Sequence, residues 1–169
     1  MHEDSRRSAA SVLFRYRMAL GIFVFCLVVS GISALPLQRE LILASKLISL
    51  PDAANYHALQ GLRRWIAFVD FGLRDTYTKF PFFGYATDWL GFGHFVIAAF
   101  FVLPFANPKR YRGILHIGLF ACAGVVAIAL ICGPIRGIPF SWRLIDCSFG
   151  IVGAIPLLYC LRITRNCRQ

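Results

Sequence analysis

The sequence predicts an all-α, polytopic integral membrane protein with four transmembrane helices and two amphipathic helices on the outer face. The prediction depends on a hydrophobic content of 58% in 169 residues, a charged fraction of only 15% and a mean hydropathy of +0.65. Soluble domains are about one quarter charged, and a chain of this length has too little interior to bury so much apolar surface. The composition therefore excludes an ordinary water-soluble domain.

Four apolar runs are long enough to cross a hydrocarbon core of roughly 30 Å, which takes about 20 helical residues. The predicted spans are residues 18–37, 86–106, 113–132 and 144–164. The segments that flank them are a basic arm at 1–17, a basic loop at 107–112, an outer loop at 133–143 and a tail at 165–169. The first run also resembles a cleavable signal peptide, but its long charged arm and near-full span length favour retention.

The basic residues predict the orientation of the spans, because Lys and Arg resist translocation. The arm, the loop at 107–112 and the end of the chain carry ten basic residues and two acids, whereas the other side carries eight basic residues and six acids. Both termini are therefore predicted to be cytoplasmic. The formal charge of +10 is then mostly an orientation signal. Nucleic-acid binding is disfavoured, because this charge is divided among short juxtamembrane segments.

Residues 38–85 are too charged to span and too apolar to form a solvated linker, and their pattern is helical. Gln38–Leu50 is predicted to form one amphipathic helix, and apolar residues at helical spacing across Leu59–Phe80 predict a second. The step from Pro51 to Asp52 separates the two. We expect both helices to lie at the membrane surface as covers, or to shape a substrate entrance.

The charges of the second amphipathic helix lie mainly off its apolar stripe. Asp70 with Arg74, and Asp75 with Lys79, have the i,i+4 spacing that brings opposite charges together on a helix. Pro81 ends the pattern, because proline removes a helical hydrogen bond. Asp70 and Asp75 are therefore each predicted to pair with the basic residue one turn later.

Five ionisable residues near the outer ends of the spans form the candidate site: Asp88, His94, Arg136, Arg143 and Asp146. Ionisable groups at membrane depth are costly and often functional. In one interpretation they are interface anchors, with Arg143 and Asp146 paired at the head of the fourth span. In the other, the two arginines bind phosphate or carboxylate while Asp88, Asp146 and His94 handle protons.

The other notable residue types predict packing rather than chemistry. No metal-ligand spacing, nucleotide-binding motif or nucleophile motif is present, so no metal or cofactor is predicted. The six cysteines show no CxxC spacing, although Cys132 and Cys147 flank the outer loop and could pair in an oxidising compartment. Small residues such as Gly91, Gly93 and Gly150 favour close helix contacts.

Residues 88–156 resemble the VanZ-like family of small bacterial membrane proteins. That family has an Asp and a His opening one span, and an Arg shortly before an Asp at the head of its last span, followed by spaced glycines. The matching residues, within DWLGFGH and RLIDCSFGIVG, are Asp88, His94, Arg143, Asp146, Gly150 and Gly153. The Asp and the His are further apart here than in the family. The resemblance implies a bacterial inner-membrane protein with an envelope role connected with glycopeptide resistance.

We expect a non-enzymatic envelope component, surrounded by membrane lipids, that binds an anionic lipid headgroup, a lipid-linked molecule or a partner membrane protein at its outer face. The alternative is an intramembrane enzyme acting on a lipid headgroup, with Asp88 or Asp146 and His94 as acid and base. A transporter is disfavoured, because four spans leave little room for a pathway. Convergence of the five residues on one cavity would favour a site over anchors.

Overall fold

The structure is a computed structural model that describes residues 2–47 and 53–166. Within these residues it is entirely helical and contains no strand. Four stretches are long and apolar enough to cross a membrane: Ala10–Ala34, Pro81–Ala106, Arg112–Ile135 and Phe140–Arg165. The predicted multi-pass, all-α architecture with four candidate spans is therefore confirmed.

Seven α-helices make up the described chain. They are α1 (His2–Ala34), α2 (Leu37–Leu47), α3 (Gly61–Lys79), α4 (Gly84–Phe100), α5 (Val102–Ala106), α6 (Arg112–Ile135) and α7 (Phe140–Asn166). Short 3₁₀ turns, Ala53–Ala58 and Pro81–Phe83, precede α3 and α4. The predicted spans 113–132 and 144–164 lie inside α6 and α7, and the span 86–106 runs from α4 to the end of α5. The predicted span 18–37 begins inside α1 and runs three residues past its end, and the described part of the basic arm belongs to α1. The predicted break at Pro51-Asp52 and residues 167–169 of the tail lie outside the described residues.

Prolines decide where two of these helices end. The N–H of Phe80 donates to the carbonyl of Thr76 at 2.6 Å and closes α3, and Pro81 then begins the short turn. Pro104 lacks the N–H that would bond four residues back, and the helix is interrupted at Phe101, between α4 and α5. The end of α3 is where the sequence predicts it.

The chain divides into two compact units. One comprises Val28–Phe95, and the other combines Met1–Leu27 with Val96–Gln169. Helices α1 and α4 contribute residues to both. The smaller unit contains the end of α1, helices α2 and α3, and most of α4.

The larger unit has a core built around a buried tyrosine. The side chain of Tyr16 is 1% exposed, and its hydroxyl donates to the carbonyl of Pro104 at 3.2 Å. The rings of Phe23 and Phe101 meet edge to face with centroids 4.8 Å apart. The buried core residues are Tyr16, Leu20, Phe23, Phe101, Leu115, Cys122, Leu157, Cys160 and Leu161.

Helices α6 and α7 approach each other at a glycine. A Cβ atom built on Gly150 would lie 2.5 Å from the carbonyl oxygen of Cys122 and 2.9 Å from the side chain of Val126. Any larger residue would therefore force the two backbones apart. Small residues allow this contact where lipid removes the hydrophobic drive for association, as the sequence predicts.

Candidate functional site

The five predicted site residues are divided between the two units. Asp88 and His94 lie on α4 within Val28–Phe95, and Arg136, Arg143 and Asp146 belong to the other unit. Each group is therefore described within its own unit. A single site made of all five stays a prediction.

The smaller unit contains a close crossing between the end of α1 and α4. A Cβ atom built on Gly31 would lie 2.8 Å from the ring of Phe95 and 3.0 Å from the carbonyl oxygen of Gly91. One built on Gly91 would lie 2.8 Å from the carbonyl oxygen of Gly31 and 3.1 Å from the side chain of Leu35. A Cβ on Gly93 would meet no atom within 4 Å, so only Gly91 of the two predicted packing glycines makes this contact.

An open cleft of about 450 Å³ shares Leu35 with this crossing. The chain turns at Leu35 and Pro36, and the carbonyl of Pro36 accepts hydrogen bonds from the N–H groups of Arg39 and Glu40 at 2.7 and 3.1 Å. That turn begins α2 and places its first residues beside the cleft. The polar residues that line the cleft are Gln38 and Arg39 from α2, Tyr77 from α3, and Tyr85, Thr87 and Asp88 from α4.

The cleft presents one cationic and one anionic side chain with unused hydrogen-bonding capacity. Arg39 and Asp88 are both exposed, and among the described residues neither side chain makes a hydrogen bond or an ion pair. The hydroxyl of Thr87 is already satisfied, because it donates to the carbonyl of Gly84 at 2.7 Å. The free guanidinium and carboxylate are therefore the charged groups that the cleft offers to a ligand.

His94 does not line this cleft. Six residues separate it from Asp88, which corresponds to roughly 120° around the helix and about 9 Å along it. Its Nδ1 donates to the carbonyl of Leu90 at 2.8 Å, which fixes the ring against its own helix. The geometry thus supplies no direct acid–base pair between Asp88 and His94.

A second carboxylate in the same unit has the opposite environment. Asp70 is 1% exposed, and Arg74 binds it through two hydrogen bonds, from Nε to Oδ1 at 2.9 Å and from a terminal nitrogen to Oδ2 at 2.8 Å. The hydroxyl of Ser45 on α2 donates to Oδ2 at 3.4 Å. The predicted pairing of Asp70 with Arg74 is confirmed, and Asp70 is buried although it was predicted to lie off the apolar stripe of its helix. Its spacing predicted the pair, and nothing in the sequence signalled the partner on α2.

In the larger unit, the predicted outer loop is a tight helix-to-helix turn. Gly137 has φ +71, and the N–H groups of Gly137 and Ile138 donate to the carbonyls of Pro134 and Gly133 at 3.0 and 2.9 Å. This is a Schellman motif, in which glycine takes the left-handed position after the helix. Arg136 is the exposed C-cap residue of α6.

Arg143 packs against this turn instead of pairing with Asp146. A Cβ on Gly133 would collide with Cδ of Arg143, and the guanidinium carbon lies 5.2 Å from the centre of the Phe140 ring. Its Nε is buried without a hydrogen-bond partner. The two described side chains Arg143 and Asp146 form no ion pair, so the expected pairing at the head of the fourth span is wrong. The absence of this ion pair does not test whether Arg143 and Asp146 belong to a functional site.

The described residues contain no group of three or more His, Cys, Asp and Glu side chains arranged to hold a metal ion. Five of the cysteines lie in the described part of the chain, and all five are free thiols, including Cys132 and Cys147. The described structure therefore contains no disulfide between that pair.

No protein-family model matches the chain, and no curated protein or solved structure matches it either. The VanZ-like resemblance therefore stays a prediction from the residues that carry it.

Proposed function

We propose that the protein is a non-enzymatic membrane protein that binds the headgroup of a lipid or lipid-linked molecule in the cleft of its smaller unit. The observation that carries the proposal is the cleft itself, in which Arg39 and Asp88 present opposite charges that no side chain of the described residues neutralises. A volume of about 450 Å³ falls in the range of small-molecule sites. Unpaired charges in an open cleft can bind the opposite charges of a ligand directly.

The position of the cleft in the chain supports a ligand at the membrane interface. Leu35 directly follows the candidate span Ala10–Ala34, and Asp88 lies near the start of Pro81–Ala106. Side chains at the ends of spans lie at headgroup depth. By the distribution of Lys and Arg, this end of both spans faces outward and the termini are cytoplasmic, which makes the ligand an outer-leaflet molecule. Helices α2 and α3 then lie on the outer surface as amphipathic helices.

Aromatic residues at the head of the second span support the same depth. The rings of Phe82 and Phe83 stack with centroids 4.8 Å apart, and Trp89 meets Tyr85 edge to face at 5.8 Å. All four side chains are at least half exposed. Tyr and Trp are enriched where the bilayer meets water, because their rings combine an apolar body with a polar group.

Binding is favoured over the alternative of an intramembrane enzyme. Acid–base catalysis needs a base within hydrogen-bond reach of the proton that it takes. His94 lies outside the cleft, so it is not placed to take a proton from a ligand bound there. Asp88 by itself can bind a cationic group of a ligand without taking part in a reaction.

The experiment is to block the cleft and measure bound lipid. Thr87 lines the cleft, whereas the adjacent Ala86 is exposed outside it, so Thr87→Trp and Ala86→Trp form a matched pair. We expect native mass spectrometry of the full chain in detergent, with added phosphatidylethanolamine and phosphatidylglycerol, to show specific lipid adducts. These should persist in Ala86→Trp and disappear in Thr87→Trp. Equal adducts in all three proteins would overturn the proposal.

A further inference from the structure

The charges in the cleft do not suit a purely anionic ligand. A headgroup with one phosphate would be attracted by Arg39 and repelled by Asp88. Both side chains are exposed and line the same cleft, so a single ligand in the cleft can contact both. A ligand that carries both signs of charge would satisfy the two groups together.

We propose that the cleft selects a zwitterionic headgroup with a phosphodiester and a primary ammonium group, as in a phosphoethanolamine lipid. This inference rests on the proposed lipid-binding function and narrows its ligand. Arg39 binds the phosphate, because a planar guanidinium matches two phosphate oxygens. Asp88 accepts hydrogen bonds from the ammonium, which has three N–H donors.

Other charged residues of the unit show why these two are the ligand groups. Asp70 is saturated by Arg74 and Ser45, and Asp75 pairs with Lys79 at 2.8 Å. A paired charge attracts a further ion less strongly, because its partner offsets its field. Arg39 and Asp88 line one cleft without closing on each other, so their capacity is left for the two ends of a zwitterion.

The test compares three phospholipids with identical acyl chains on the full chain in detergent, by titration with native mass spectrometry. We expect phosphatidylethanolamine to bind about tenfold tighter than phosphatidylglycerol, the size of effect of one hydrogen bond to a charged group. Phosphatidylcholine should also bind less tightly than phosphatidylethanolamine, because its quaternary ammonium has no N–H to donate. Equal binding of the three would overturn the selectivity and leave the proposed function standing.

Charge-neutral variants test which side chain binds the phosphate of the ligand and which binds its ammonium group. Asp88→Asn should abolish the preference for phosphatidylethanolamine and raise the affinity for phosphatidylglycerol, because the repulsion is removed. Arg39→Gln should weaken both lipids. Glu40→Gln is the matched control, since Glu40 is an exposed acid next to Arg39 that does not line the cleft. A tenfold preference that survives in Asp88→Asn would overturn the role of the carboxylate.

A soluble headgroup distinguishes a lipid ligand from a free one. Glycerophosphoethanolamine has the same charges without acyl chains. The lipid assignment predicts that it displaces phosphatidylethanolamine only at far higher concentration, and competition at equal concentration would overturn that assignment. If no phospholipid binds to the wild-type protein at all, both the proposed lipid binding and the proposed selectivity are wrong. Equal binding of all phospholipids contradicts the selectivity alone, so the two outcomes can be told apart.

Discussion

Two carboxylates of the smaller unit, Asp70 and Asp88, show how the same side chain is used in opposite ways. Asp70 is 1% exposed and accepts hydrogen bonds from Arg74 and Ser45. Asp88 is exposed in a cleft and accepts none from the described residues. A buried charge without partners is very costly, whereas an exposed one is solvated. Burial therefore identifies the structural acid, and exposure in a cavity identifies the acid available to a ligand.

The two acids differ in how each comes to share its surroundings with a basic residue. Arg74 follows Asp70 by one helical turn, so the helix itself brings them together. Arg39 and Asp88 belong to different helices, and only the fold brings them to one cleft. Local spacing closes the first pair, and no such spacing closes the second.

Removing the charge of the buried acid should give the largest loss of stability. Asp70→Asn removes an ionised acceptor from three hydrogen bonds, and we expect it to cost about 2 kcal/mol, or roughly 4–8 °C in melting temperature. Arg74 is 45% exposed and regains water, which keeps the cost below that of a fully buried pair. Thermal unfolding of the detergent-solubilised protein measures the effect.

The matched control for this prediction is Asp75→Asn. Its ion pair with Lys79 has the same i,i+4 spacing, but the two side chains are 47% and 61% exposed. Exposed pairs contribute about 0–1 kcal/mol, so the melting temperature should hardly change. Equal losses in the two variants would contradict the structural role given to the burial of Asp70.

The sequence was sufficient for features that depend on local spacing. Apolar run length predicted the four candidate spans, i,i+4 spacing predicted the pairs of Asp70 and Asp75, and Pro81 predicted the end of α3. It was not sufficient for contacts between helices. Hence the burial of Asp70 against α2 was missed, and Arg39 was passed over as part of a surface cover.

The glycine crossing tests whether the cleft depends on the packing next to it. Gly91→Ala should destabilise the protein by about 1 kcal/mol, because overpacking costs about 1–3 kcal/mol and a better helix former offsets part of it. The new methyl group would press on Leu35, which lines the cleft, so lipid binding should weaken as well.

Gly93→Ala is the control for the crossing, since a Cβ there meets no atom within 4 Å. It should leave lipid binding unchanged and raise stability by about 0.5–1 kcal/mol through helix propensity. Melting temperature and lipid occupancy are both measured. Weakened binding in both glycine variants would show that the cleft is not shaped by the Gly31–Gly91 contact.

Removing the charge of the exposed acid should have the smallest effect on stability. This substitution is the most direct test of the contrast between Asp70 and Asp88. Asp88→Asn breaks no hydrogen bond or ion pair with a described residue, so the free energy of unfolding should change by less than about 0.5 kcal/mol in lipid-free detergent. With phosphatidylethanolamine added, the wild-type protein should gain more thermal stability than the variant, because only the lost ligand contact separates them. A melting temperature that falls in lipid-free detergent as far as in Asp70→Asn would mean that Asp88 already has a partner within the protein, and the cleft would then have no free carboxylate to offer.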